Sequence, residues 1–306
     1  MTARTGQPPT NRPRASQPEC SNGRSVDLPA GRVYARDFPG PAGAPTVVLL
    51  HGWMATSDIN FYRCYAPLAR RFRVISLDHR GHGRGIRSVR PVRLADCADD
   101  AVALADELDI DRFIPVGYSL GGAVAQLVAR RHPGRVAGAV FCCTAARFGG
   151  EPVDRLGFAG LSGLAAAARL TPEPLRRRLV ARYFEQRKQG DWSPWAIEAA
   201  TAHDWRMVLE AGAALGTFSS TTWISQLDMP AAVVITEADQ VVAPARQHEL
   251  ADLLEHATVF PVAAGHDAAV SAPGLFIPAL LAAIDSVVHR ARPDHQDGAR
   301  NRANTW

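Results

Sequence analysis

From residue 46 onward the chain alternates short, continuously apolar runs with segments of helical periodicity. That alternation restricts the fold to a mostly parallel sheet with helices on its faces. The strand candidates are Thr46 to Leu50, Arg73 to Leu77, Phe113 to Gly117, Val136 to Thr144, Ala231 to Thr236 and Thr258 to Val262. Unbroken apolar runs of this kind mark parallel strands buried on both sides. Between them Phe61 to Arg71, Arg93 to Leu108, Leu120 to Arg131, Pro244 to His256 and Leu275 to His289 read as helices. In the last three, apolar residues recur at three- and four-residue spacing.

One interval breaks the alternation. Between Cys143 and Ala231 the sequence holds helical patterns, several glycines and no convincing strand, which predicts an inserted helical cap. The interval carries Phe158, Leu161, Leu164, Leu170, Tyr183, Phe184, Trp192, Trp195, Trp205, Leu209, Phe218 and Trp223, more apolar and aromatic material than a linker needs. Most of these build the insertion's own small core, and a few facing the main domain line an apolar pocket. The expected division is a disordered leader over 1–25, a core over 26–146 and 229–290, the helical cap insertion over 147–228 and a polar tail over 291–306.

Composition narrows the setting. With 306 residues, 47% of them hydrophobic, the chain can bury one large core, and no run reaches the roughly 18 apolar residues of a membrane span. Met1 to Ser25 is rich in Pro, Arg, Ser and Thr, has no apolar stretch of the kind a secretory signal needs, and contains Pro8, Pro9, Pro13 and Pro18, which oppose the amphipathic helix of a transit peptide. Cytoplasmic residence is the expectation. The net charge of +4 comes almost wholly from arginine, Lys188 being the one lysine, and much of it lies in the tails. The dense run Arg176-Arg177-Arg178 falls in a helical pattern and reads as a solvated helix face, so no nucleic-acid partner is expected. Five cysteines without a C-x-x-C pair read as buried thiols, with adjacent Cys142 and Cys143 on opposite faces of a strand.

Chemistry concentrates in Gly117-Tyr118-Ser119-Leu120-Gly121, between the apolar run ending at Val116 and the Ala-rich segment Gly122 to Ala129. A serine here is either a tight-turn residue or a nucleophile, and a strand before with a helix after favours the nucleophile. A sharp strand-to-helix bend strains the residue at its apex, and glycines two before and two after relieve the crowding. The N–H of Leu120 then opens a helix, where it can stabilise an oxyanion. A serine nucleophile also needs a base and a carboxylate that orients it. Asp239 follows the strand ending at Thr236, and His266 follows the strand ending at Val262, so both reach the same sheet rim as Ser119. His51-Gly52-Trp53 follows the first long strand, with the Trp53 N–H as the second oxyanion donor and His51 as scaffolding. His79 and His82, in Asp78-His79-Arg80-Gly81-His82-Gly83, invite a metal reading, but no further ligand cluster completes a site. Neither metal nor cofactor is expected.

His51-Gly52-Trp53, Asp78 to Gly83, Gly117 to Gly122, Asp239-Gln240-Val241-Val242 and Gly265-His266 together resemble the α/β-hydrolase superfamily in order and spacing over about residues 30 to 290. Gly85 departs from the serine that many relatives carry in the arginine-glycine loop. The resemblance implies an eight-stranded, mostly parallel sheet with a helical cap, and the roles nucleophile, acid and base for Ser119, Asp239 and His266. Haloalkane dehalogenases and epoxide hydrolases carry aspartate at the elbow, so Ser119 argues against both. The expected activity is hydrolysis of a small-molecule carboxylic ester. Acyl transfer, perhydrolysis or carbon–carbon cleavage would use the same residues, and a ligand receptor on this scaffold would not need all three.

Overall fold

In the computed structural model, residues 22–149, 152–176, 178–179, 182 and 194–291 are described. They contain an eight-stranded sheet: β1 (Gly23–Leu28), β2 (Gly31–Phe38), β3 (Thr46–Leu50), β4 (Arg73–Leu77), β5 (Ile114–Tyr118), β6 (Ala139–Cys142), β7 (Ala231–Thr236) and β8 (Thr258–Val262). The spatial order is β1-β2-β4-β3-β5-β6-β7-β8. From β4 to β8 every pairing is parallel, and β1 and β2 add an antiparallel edge. The chain leaves β3 for β4 on one side and returns to β5 on the other. This reversal opens a crevice at the strands' C-terminal ends.

Helices cover both faces: α1 (Ser57–Phe61), α2 (Tyr65–Ala69), α3 (Leu94–Glu107), α4 (Leu120–Arg131), α5 (Pro152–Leu170), α6 (Pro194–Thr201), α7 (Trp205–Gly216), α8 (Pro244–Leu253), α9 (Ala268–Ser271) and α10 (Pro273–Arg290). Val48, Leu50, Ile75 and Leu77 face a core shared with α3 and α4, while Val47, Leu49, Val74 and Val116 face one shared with α2 and α10. Alternate residues of each strand thus enter different cores, which is why the strands are apolar throughout. Between β6 and β7, which are sheet neighbours, the chain makes the excursion containing α5, α6 and α7.

Several elements differ from the sequence reading. β1 begins at Gly23, three residues inside the segment that composition reads as leader. Both antiparallel strands escape a search for apolar runs because polar residues interrupt them. In β2, Arg36 is buried and forms a two-pronged pair with Asp58, its Nη2 reaching Oδ2 at 2.6 Å. The helix expected over Phe61 to Arg71 is two short ones. Pro67 has no N–H to give Arg63, so the helix restarts after Tyr62 instead of continuing. β6 is shorter than the apolar run because positive φ at Gly138 and Cys143 bounds it. That turn carries Cys143 into the same core as Cys142, so the two thiols do not face opposite ways.

Candidate active site

Ser119 sits between β5 and α4 with φ 54° and ψ −116°. Few non-glycine residues tolerate that backbone, and it persists only where the surroundings enforce it. Three hydrogen bonds do so here. The Ser119 N–H donates to Cys142 O at 2.9 Å, and its carbonyl accepts from the Gly122 N–H and the Thr144 hydroxyl, each at 2.8 Å. The flanking glycines are demanded by contact. A Cβ on Gly121 would lie 1.9 Å from the Leu50 carbonyl oxygen, and one on Gly117 would lie 2.3 Å from that of Gly121. Backbone cannot move aside for either.

His266, in the loop after β8, and Asp239, in the loop after β7, reach the same point. His266 Nε2 lies 3.0 Å from Ser119 Oγ, and its Nδ1 lies 2.8 Å from Asp239 Oδ2. Asp239 is buried, and all its partners donate. Oδ1 accepts the N–H groups of Val241 (2.8 Å) and Val242 (2.9 Å), while Oδ2 accepts the Thr236 hydroxyl (2.8 Å) and Gln247 Nε2 (3.1 Å) as well as His266. Burial alone would raise the Asp239 pKa, but the hydrogen bond and charge of His266, helped by the Val242 and Val241 N–H groups, outweigh it and lower it. A carboxylate surrounded by donors holds His266 as the Nδ1–H tautomer. That leaves Nε2 free to accept the Ser119 proton.

The loop after β3 runs beside this chain of hydrogen bonds: a Cβ on Gly52 would lie 3.5 Å from Ser119 Cβ. Gly52 N–H donates to Asn60 Oδ1 at 2.8 Å. His51 accepts the His79 N–H on Nε2 at 2.9 Å, so its Nδ1–H donates to Gly52 O at 2.7 Å. Trp53 is tied to α7 by Nε1–H donating to Val208 O at 2.7 Å. Leu120 is the first residue of α4, where an N–H has no partner within the helix.

Gln247, Thr236 and Tyr118 have roles that motif reading missed. Gln247 is wholly buried, and besides Asp239 its Nε2 donates to Val242 O at 2.7 Å while its Oε1 accepts the Thr236 N–H at 3.0 Å. It ties the Asp239 loop to the end of β7. The Tyr118 hydroxyl donates to the His266 carbonyl, anchoring the histidine loop to the residue before Ser119. A polar residue within an otherwise apolar helical face, as at Gln247 in α8, was the one available signal.

Beneath the β3 loop lie four buried histidines. The His51 ring is 4.4 Å from that of His79 and 5.2 Å from that of His82, and His82 is 5.4 Å from His203. Among the described residues neither ring nitrogen of His79 nor Nε2 of His82 has a hydrogen-bond partner, and no group of three or more His, Cys, Asp or Glu could hold a metal ion. Burial pushes all four below the ordinary 6.5, His79 and His82 far below and His203 to about 4. Their folded-state pKa values lie below the unfolded ones, so stability is full above pH 6.5 and is lost as pH falls toward 4. Across that window the unfolding free energy is expected to fall by about 1.4 kcal/mol per pH unit for each proton taken up, read as a dropping thermal midpoint. A midpoint flat from pH 7 to pH ~4 contradicts this.

The aromatic residues of the excursion divide. Phe158, Phe218 and Trp223 pack on the main core, and Trp195 meets Tyr62 edge-on at 5.4 Å. Leu164 and Leu170 face outward. Tyr183, Phe184 and Trp192 lie outside the described residues, as does Cys20. The described cysteines, Cys64, Cys97, Cys142 and Cys143, are all free and buried.

A family model described as the alpha/beta hydrolase fold matches residues 45–273. The chain belongs to that family. A non-heme chloroperoxidase of Streptomyces lividans is 38% identical over 109 residues, which cover 35% of this chain and 39% of that protein. A bifunctional esterase/perhydrolase of Acinetobacter calcoaceticus is 36% identical over 101 residues, covering 33% of this chain and 36% of the relative. The chain therefore spans less than two fifths of the length of each of these curated relatives. A hydrolase of Pseudomonas aeruginosa PA01 superimposes with a TM-score of 0.72 at 23% identity, over 87% of this chain and 99% of that one, a likeness in fold. The chain has the eight-stranded sheet, and the loops carrying Ser119, Asp239 and His266 meet at one rim. No helix among the described residues is long and apolar enough to cross a membrane.

Proposed function

We propose that this α/β hydrolase is a cofactor-independent serine hydrolase of carboxylic esters. Ser119 is the nucleophile, His266 the base and Asp239 the acid that orients it. The observation that carries the reading is the unbroken relay from Ser119 Oγ through His266 to Asp239, with links of 3.0 and 2.8 Å. As Ser119 Oγ bonds to the ester carbon, its proton passes to His266 Nε2, and the N–H groups of Trp53 and Leu120 receive the oxyanion. The C–O bond to the alcohol then breaks, and the departing oxygen takes the proton from His266. Water gives up a proton to the same nitrogen as it attacks the acyl-enzyme, releasing the acid and Ser119.

An apolar, medium-sized acyl group suits an apolar α7 that packs on Trp53, where a Cβ on Gly212 would lie 2.7 Å from the indole ring. Met207, Val208, Ala211 and Leu215 of α7 are buried, and α7 is joined to the β3 loop through Trp53. A p-nitrophenyl ester series from acetyl to palmitoyl is expected to show turnover with a short-to-medium optimum and a decline toward palmitoyl. No turnover of any member would overturn the ester reading.

The likeness to an esterase/perhydrolase favours a second measurement on the same residues. Hydrogen peroxide in place of water would attack the acyl-enzyme and release a peracid, so peracid formation in acetate and peroxide separates the two outcomes.

A further inference from the structure

Helix α5 has two apolar sides, and only one is covered. Between Arg155 and Arg169 it reads Leu-Gly-Phe-Ala-Gly-Leu-Ser-Gly-Leu-Ala-Ala-Ala-Ala, with no charged residue. Phe158, Leu161, Ala165 and Ala168 recur at spacings of three and four and turn inward, Phe158 lying against Gly216 of α7. The opposite stripe, Leu156, Gly160, Gly163, Ala167 and Leu170, is exposed, with Leu164 beside it. Leu156 is 76% exposed and Leu170 88%. The one polar side chain in the run adds nothing outward, because the Ser162 hydroxyl donates to Phe158 O at 3.0 Å. A helix on a water-soluble surface normally carries charge on such a face.

The apolar surface continues past the helix. Exposed Leu175 and Leu179 follow it, and Val89, 89% exposed, is held alongside by Arg169 Nη1 donating to its carbonyl at 3.4 Å. Large exposed apolar side chains gathered in one place mark an interaction surface. Its border is basic. Arg178 and Arg182 are exposed at the C-terminal side, Arg169 is paired with Glu210 at 3.0 Å, and from residue 156 to residue 172 the sequence has no Asp or Glu, the next acid being exposed Glu173. Of the arginine run that reads in sequence as a solvated face, Arg178 is exposed, while Arg176 donates to Ala168 O at 2.8 Å and Thr171 O at 2.7 Å.

We propose that this face docks the protein on the surface of an anionic lipid bilayer. The leucines would enter the boundary between headgroups and acyl chains while the arginines meet lipid phosphates and carboxylates. The docking proposed is peripheral, through the side chains of this face. The docking face belongs to α5, which packs on α7 where Phe158 meets Gly216, and α7 in turn contacts the β3 loop through Trp53. Docking does not depend on Ser119 chemistry, so it can fail while the hydrolase reading stands, and the reverse.

The test is flotation of the full chain with phosphatidylcholine vesicles, with and without phosphatidylserine. Wild type is expected to float with the phosphatidylserine vesicles and to be released by high salt. Arg178→Ala with Arg182→Ala should lower partitioning by roughly an order of magnitude. Leu164→Asp with Leu170→Asp should abolish flotation while thermal stability and turnover of a water-soluble ester stay at the wild-type level. The proposal is overturned if wild type does not float, or if the leucine variant floats as well as wild type. A concentration-dependent dimer that Leu164→Asp dissociates, without vesicle binding, would assign the face to a second copy of the chain instead.

Discussion

Ser119→Ala is expected to lower kcat on an activated ester by roughly 10⁶-fold while leaving the fold intact. Alanine removes the only atom that can form the acyl bond, and neither His266 nor Asp239 supplies another nucleophile at that position. The fold should survive because the elbow is held by backbone groups. Ser119 N–H bonds Cys142 O, and the Ser119 carbonyl is bonded by Gly122 and Thr144, none of which involves the hydroxyl. Alanine meets the same φ of 54° that serine already tolerates. The melting temperature should move by only a few degrees. Turnover near the wild-type rate would remove Ser119 from the chemistry.

The second large effect is expected at Asp239→Asn, a fall in kcat of about 10³- to 10⁴-fold accompanied by a loss of stability. Every partner of this carboxylate is a donor: two backbone N–H groups on Oδ1, and the Thr236 hydroxyl, Gln247 Nε2 and His266 on Oδ2. An amide NH₂ confronts donors whichever way it is flipped. Facing Oδ2's partners, it forces His266 to accept on Nδ1 and so protonates Nε2, the nitrogen that must take the Ser119 proton. Facing the Val241 and Val242 N–H groups, it restores the tautomer but leaves buried donors unpaired and cannot balance the imidazolium charge. Steady-state kinetics beside thermal unfolding reads both consequences. A variant with near-normal kcat would move the acid's role elsewhere.

The parts legible in the sequence are those with local signatures. The parallel strands announce themselves as unbroken apolar runs because each face enters its own core, and Ser119 announces itself because the elbow needs glycine at Gly117 and Gly121 for want of space. Asp239 and His266 follow from position, each being in the loop after a strand of the same parallel set. What stays hidden depends on distant contacts. β2 is unreadable because its buried Arg36 is neutralised by Asp58, 22 residues away. Gln247 and Tyr118 support Asp239 and His266 through bonds that no spacing rule encodes, and the four-histidine cluster joins three separate segments. The outward face of α5 was hidden for another reason: helical periodicity shows which residues are apolar but not which apolar side is covered.

Ser119 as nucleophile is the claim on which the proposed hydrolase chemistry stands, and intact-mass analysis after treatment with diisopropyl fluorophosphate tests it without any assumption about the natural ester. One covalent adduct per chain is predicted, mapped to Ser119 by peptide fragmentation, absent from Ser119→Ala and formed much more slowly in Asp239→Asn. An unmodified wild type, or an adduct that persists in Ser119→Ala, would contradict the account.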